Sequence, residues 1–251
     1  MLLLEDILTK IKNCIDVPYS LGYNLDEDDT DSAIDPVWDC LQDCLHKAGL
    51  NKECDIANGV SKVVIIPQNS AYVIKTPLFG SWYYPEEYNE ENDEYYTDYE
   101  NAQFNEYTGA YYEDAEIDYS NYCELEEYIY NFTVENGVSD MFAKTEFFGY
   151  AKSGRPVYIS EKCKDFWWGD REPSDASKTL VKDKRDSRTP GWSKMDSMIT
   201  ALFVDDYGVE RAAKLFQFLS DFNITDLHSN NVMISEKTGK IVITDYSGFE
   251  N

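Results

Sequence analysis

The sequence predicts an α+β chain of two lobes, a sheet-built half followed by a helical half. Three observations carry this. The stretch VSKVVIIPQNSAYVIKTPL holds two alternating apolar runs around a Pro-Gln-Asn-Ser turn, as paired strands do. The stretch CELEEYIYNFTVENG carries Leu125, Ile129 and Phe132 at helical spacing. GVERAAKLFQFLSDFNI puts Ala212, Leu215, Phe216 and Leu219 on one helical face, and two short apolar runs, VMIS and KIVIT, follow it around Lys-Thr-Gly-Lys.

The elements justify themselves in order. MLLLEDILTKIKNCID has acidic Glu5 and Asp6 after three leucines, which fits a helix burying Leu4, Ile7, Leu8 and Ile11 better than a signal peptide. DPVWDCLQDCLHKAGL reads as a helix capped by Asp35 with Pro36 in its first position. Cys40, Cys44 and His46 on it resemble a metal set only by composition, because Val37, Leu41, Cys44 and Leu45 are explained as core. Lys75 ends the second strand of the first pair. After the helix containing Glu124, Glu126 and Glu127, AKTEFFGYAKSGRPVYISEKC reads as a hairpin whose second strand runs from Pro156 to Ser160.

Composition narrows the class. A hydrophobic content of 43% in 251 residues supports a real core, and no apolar run approaches the length of a membrane span. Six cysteines lack the pairing of a zinc site or the density of a disulfide scaffold, which points to reduced thiols and a cytoplasmic protein. The net charge of −26 is concentrated in residues 85–120, which contain no basic residue, so direct nucleic-acid binding there is disfavoured. That stretch is expected to be a solvated loop, or else a tyrosine-rich acidic surface that docks a basic protein. Residues 164–195 run the other way, with Lys178, Lys182, Lys184, Arg185, Arg188 and Lys194 among Ser, Thr, Pro and Gly. They are expected to form a solvated cationic loop, or else a mobile cationic flap that folds against the acidic stretch, with Trp167 and Trp168 anchoring its start.

Chemistry gathers near the end. In ITDLHSNNVMI and IVITDYSGF, Asp226, Asn231 and Asp245 supply three oxygen donors at the spacing of a two-metal phosphoryl-transfer site. The run Asp226-Leu-His-Ser-Asn-Asn231 resembles the catalytic loop of protein kinases, H-R-D-L-x-x-x-N, and Tyr-Val-Ile-Lys75 resembles their V-A-I-K strand. Glu-Glu-Tyr-Ile-Tyr resembles the helix of casein-kinase-like proteins. His228, where protein kinases usually carry lysine, makes a D-L-H-x-x-N similar to that of aminoglycoside phosphotransferases.

The resemblance covers roughly residues 54–250. It implies a two-lobed protein-kinase-like fold: a helical extension over 1–53, an antiparallel-sheet N-lobe over 54–162, and a minimal helical C-lobe over 163–251. It implies ATP and magnesium as cofactors, with Lys75 on the α and β phosphates and Glu126 fixing Lys75, Glu124 and Glu127 being the competing partners. Asp226 would orient or deprotonate the acceptor, with His228 beside it, and Asn231 and Asp245 would hold the metal. Backbone groups at Glu161 and Cys163 would meet adenine, and Gly59 stands alone where a glycine-rich loop is expected. Ile224 and Thr225 replace the usual His-Arg, and six residues after Asp245 leave no activation segment. Two functions fit: a phosphotransferase acting on an unidentified hydroxyl-bearing substrate, or a kinase-like binding protein whose acidic surface docks a basic partner.

Overall fold

Apolar periodicity sets the first elements. The structure, a computed structural model, describes residues 4–15, 30–58, 62–77, 81–89, 94–97, 103–105, 115–118, 121–165, 171–224 and 227–246. Among them the order begins α1 (Leu4–Cys14), α2 (Thr30–Lys47), β1 (Cys54–Asn58), β2 (Lys62–Pro67) and β3 (Tyr72–Pro77). Next come β4 (Ser81–Asn89), β5 (Glu94–Thr97), β6 (Gln103–Asn105), β7 (Ala115–Asp118), α3 (Tyr122–Glu135), β8 (Thr145–Tyr150) and β9 (Pro156–Glu161). The chain continues with β10 (Cys163–Lys164), α4 (Asp175–Asp186), α5 (Ser197–Tyr207), α6 (Val209–Asp221), β11 (Val232–Ser235) and β12 (Ile241–Ile243). This is an α+β chain with small antiparallel sheets. It divides into two compact units, Met1–Glu124 with Phe147–Ile159, and Leu125–Glu146 with Ser160–Asn251.

In the first unit the main sheet has the order β1-β2-β3-β9-β8. Ile7, Leu8, Ile11 and Ile15 are buried with Leu41, Cys44 and Leu45 of α2 and with Val63, Ile65, Ile74 and Val157 of the sheet, forming one core. At roughly 1.5–3 kcal/mol for each fully buried aliphatic side chain, these contacts are what hold the two helices on the strands. The thiol of Cys44 lies 3.7 Å from the carbonyl of Ile11 and His46 is exposed, so this helix face is core, as its periodicity predicts. The helix nevertheless begins at Thr30, five residues before the expected cap at Asp35. Pro36 is therefore inside the second turn, where its missing N–H removes one backbone bond without ending the helix.

The acidic insertion is not the solvated loop expected from its charge. Residues 81–118 contribute β4, β5, β6 and β7, a second, four-stranded antiparallel sheet in which β4 pairs with the other three. Trp82 opposes Phe104 on one side and Asp118 on the other, and Tyr88 opposes Tyr95. Aromatic residues favour strands strongly enough to outweigh a charge pattern that suggests a loop.

The basic insertion is likewise ordered in its second part, where α4 replaces the expected loop. Ser174 caps the helix by accepting from the Ser177 amide, Asp175 begins its first turn, and Lys184 and Arg185 occupy its last. Charges thus match the helix dipole at both ends. Downstream, Trp192 is buried with its ring 4.8 Å from that of Phe216. Trp167 and Trp168 lie outside the described residues.

Asp205 secures the cap by accepting from the Ser174 amide at 2.6 Å, the Ser174 hydroxyl at 2.8 Å and the Ser177 hydroxyl at 2.6 Å. Burial pushes its carboxyl up, but the hydrogen bonds from Ser177 and Ser174 and the Arg171 charge together outweigh this and leave it below the ordinary aspartate value. A depressed value stabilises the folded state above about pH 4 and is lost as pH falls through it. Asp205→Asn is expected to flatten the acid limb of a thermal-stability profile below about pH 4; an unchanged limb would exclude this linkage.

In the second unit α5 buries Ile199, Leu202 and Phe203, and α6 buries Ala212, Leu215, Phe216 and Leu219, the face anticipated from sequence. A three-stranded sheet, β10-β11-β12, completes it. Asp206 joins α5 to this sheet, taking both guanidinium nitrogens of Arg171 and the Ile241 amide at 2.9 Å. No helix among the described residues is long and apolar enough to cross a membrane.

Candidate functional site

The β11–β12 hairpin places two of the three sequence-predicted oxygen donors, Asn231 and Asp245. Asn231 ends a 3-10 turn, Ser229–Asn231, directly before β11, and Asp245 follows β12 by two residues. The Thr244 amide donates to the Asn231 carbonyl at 2.9 Å, so the backbones entering and leaving the hairpin are tied where the two side chains depart. Asn231 is buried and Asp245 half-buried. Asp226 and Gly59 lie outside the described residues.

His228 caps the 3-10 turn: its Nδ1 accepts from the Asn230 amide at 3.2 Å. That acceptor role requires an unprotonated Nδ1 and places the ring proton on Nε2 in the neutral form. The Asn231 amide in turn donates to the His228 carbonyl at 3.0 Å. His228 therefore helps set the backbone that presents Asn231.

An aromatic chain ends at Tyr246, the residue after Asp245. Ring centroids step from Phe132 to Phe222 (5.3 Å), to Phe218 (4.6 Å), to Phe142 (5.8 Å) and to Tyr246 (5.1 Å). Tyr246 is fully buried, with its hydroxyl donating to the Ala143 carbonyl at 2.9 Å. Burial, then the charge of Glu126, pushes that hydroxyl well above the usual tyrosine value, so it stays neutral and donating. A side chain locked this way leaves the residue before it little freedom.

Glu126 belongs to the same neighbourhood. It is fully buried, and Thr145 Oγ1 donates to its Oε2 at 2.8 Å while lying 3.1 Å from Ser160 Oγ. Of the three candidate glutamates it is the buried one. The other two are half-buried, and Asn121 Nδ2 donates to Glu124 at 3.0 Å. Asn121 begins the α3 turn and gives Glu124 a local acceptor role. Thr145→Val, which keeps shape and removes the donor, is expected to cost about 1–3 kcal/mol in denaturant unfolding, because a buried carboxylate loses a partner. Thr145→Ser should recover most of it, and an unshifted midpoint for the valine variant would show the bond to be dispensable.

Lys75 lies in the first unit, on β3 opposite Val64. It is only 6% exposed, so it is a buried ammonium and not an edge lysine. Beside it, Thr76 Oγ1 donates to the Pro156 carbonyl at 3.0 Å, and the fully buried Arg155 donates to the Pro77 carbonyl. A lysine held on such a braced strand has a fixed place.

Glu161 ends β9 and Cys163 begins β10. The Glu161 amide donates to the Lys144 carbonyl at 2.9 Å, its carboxylate accepts from Ser235 Oγ, and Cys163 pairs across the ladder with Ser235. The Cys163 thiol lies 3.7 Å from the Glu161 carbonyl. The Glu161 amide is thus committed within the fold.

Among the described residues, no group of three or more His, Cys, Asp and Glu is placed to hold a metal ion. Asn231 and Asp245 are hard oxygen donors, which suits magnesium: that ion takes one or two protein carboxylates and completes its shell with water and substrate phosphate. Sequence reading missed Thr145, Ser160, Tyr246 and Asp206. The legible signal was small: a tyrosine directly after Asp245 and a threonine opening a strand. Comparison with protein-family models, with curated proteins and with solved structures returned no match.

Proposed function

We propose that the chain is a kinase-like phosphotransferase of two-lobed, protein-kinase-like fold that moves the terminal phosphoryl group of ATP to a hydroxyl. The observation that carries the reading is the backbone tie between Asn231 and Thr244, which holds Asn231 and Asp245 at the two feet of one hairpin. The strand order β1-β2-β3-β9-β8, with α3 following the lysine strand in the chain, supports the same fold.

Under this reading the acceptor oxygen bonds to the γ-phosphorus as the bond from that phosphorus to the bridging oxygen breaks. ADP leaves, and the acceptor proton passes to the Asp226 carboxylate. Asn231 and Asp245 would hold magnesium, whose contribution is to neutralise phosphate charge. Lys75 pairs with the α and β phosphates, and Glu126 is its assigned partner on sequence position. Positioning and charge neutralisation supply most of such catalysis, so these groups suffice.

The reaction is tested with γ-labelled ATP and a panel of hydroxyl acceptors, including the chain itself. Label transfer by the wild type and none by Asp245→Asn is expected; equal transfer by both would remove Asp245 from the chemistry.

A second reading has its own observation. The acidic stretch is built into strands β4 to β7, so Glu86, Glu87, Glu94, Glu116 and Asp118 hold registered positions in a sheet. Such a sheet is suited to docking a basic protein. Deleting residues 85–120 separates the readings: a phosphotransferase keeps turnover, whereas a docking module loses its basic partner.

A further inference from the structure

Positive charge is scarce in this chain, yet six of its 22 lysines and arginines fall within residues 178–194. Lys178, Lys182 and Arg185 recur at four- and three-residue steps on α4, which places them on one helical face. They line a cavity of about 450 Å³ together with Asp186 and with Ser197 and Met198 at the start of α5. That volume lies in the range of small-ligand sites.

The lining is unevenly compensated. Lys178 lies 3.6 Å from Glu172 and 3.8 Å from Asp175, both exposed carboxylates. Arg185 Nη1 donates to the Met195 carbonyl at 3.2 Å, which fixes one side of the guanidinium. Lys182 makes no ion pair or hydrogen bond among the described residues. At the α5 end, Asp196 takes the Met198 amide at 2.7 Å. With Lys178 offset by Glu172 and Asp175, the lining leaves Lys182 and Arg185 facing one carboxylate, Asp186, in a protein whose total charge is −26.

We propose that this cavity binds a small phosphate-bearing ligand, at a site separate from Asn231 and Asp245. A guanidinium fork and two ammonium groups match phosphate oxygens, and Ser197 adds a hydroxyl donor. Asp186 supplies an acceptor for a hydroxyl elsewhere on the ligand. The cavity lining contains none of the residues assigned to the nucleotide, so failure here leaves the phosphotransferase reading untouched.

The test titrates ribose 5-phosphate and, separately, inorganic pyrophosphate into the full chain by calorimetry at low and high salt. Saturable binding of either probe, weakening with salt, is expected, with the ester favoured if Asp186 contributes and pyrophosphate favoured if charge alone decides. Lys182→Gln with Arg185→Gln should weaken binding by about tenfold or more, the scale of lost charge-assisted contacts. Lys182→Gln alone replaces an exposed side chain and should weaken it in the same direction without disturbing the fold. Asp245→Asn should leave it unchanged. Absence of saturable binding for both probes, equal affinity in Lys182→Gln, or loss of binding in Asp245→Asn would each overturn the proposal.

Discussion

Replacing Gly191 by alanine is expected to destabilise the second unit more than the same change at any other described glycine of that unit. Gly191 has φ of +79°, and a Cβ there would sit 1.8 Å from the carbonyl oxygen of Phe216 and 2.4 Å from its carbonyl carbon. Both are backbone atoms of α6, so no side chain can swing aside. The left-handed conformation costs roughly 1–2 kcal/mol for a residue with a Cβ, and overpacking adds about 1–3 kcal/mol or more. The sum, about 2–5 kcal/mol, is a large share of the roughly 5–15 kcal/mol that stabilises a typical domain. Gly208 is the internal control, with φ of +80° and nothing within 4 Å of the added carbon. Gly208→Ala adds no clash and should lose only the cost of its own glycine-favouring backbone, with ψ of 158°, about 1–3 kcal/mol. Denaturant midpoints for both variants check this, and equal shifts would mean that the α6 backbone yields freely.

The largest catalytic loss is expected at Asp226. Under the proposed roles, Asp226→Asn removes the group that takes the acceptor proton but leaves Asn231, Asp245 and Lys75 to hold the nucleotide. Turnover should fall by about 10²–10⁴, the usual contribution of general-base catalysis, while the affinity for ATP with magnesium stays within a few-fold. Steady-state kinetics on an identified acceptor, paired with direct nucleotide binding, separates the two quantities. A variant that lost affinity while keeping turnover would reassign Asp226 from chemistry to binding.

Periodicity made much of the fold legible. The α6 stripe, the hairpin before Asp245 and the inward residues of α1 could be read because each lies on one face of a regular element, where spacing and burial coincide. Glu126 was singled out by its position in the helix; its burial and its Thr145 donor were not legible there. What sequence could not supply was the competition between tendencies. Charge in residues 85–120 argued for a loop, yet the tyrosines interleaved with it suit strands, and pairing across a sheet decided it. The serine, threonine and proline content of the basic insertion hid a helix whose cap depends on Asp205, a residue 31 positions from Ser174. Pro36 was read as the first helical position because proline is favoured there, yet the helix already begins at Thr30 and runs through it.

The site divides the same way. Asn231 and Asp245 were visible as a spacing, because the hairpin between them is local. Thr145, Ser160 and Tyr246 were not, because they converge from separate elements on Glu126 and the backbone of Ala143. Lys75 was legible as a strand lysine but its burial was not, since that depends on what is packed around β3.

ATP titrated calorimetrically into the wild-type chain, with magnesium and then with EDTA in its place, tests the proposed nucleotide site most directly, with Asp245→Asn as the third arm. Saturable binding in the magnesium arm, lost with EDTA and lost in Asp245→Asn, is the expected result. No saturable binding of ATP with magnesium to the wild type would contradict the phosphotransferase reading and leave the acidic sheet of β4 to β7 as the feature with a function to explain.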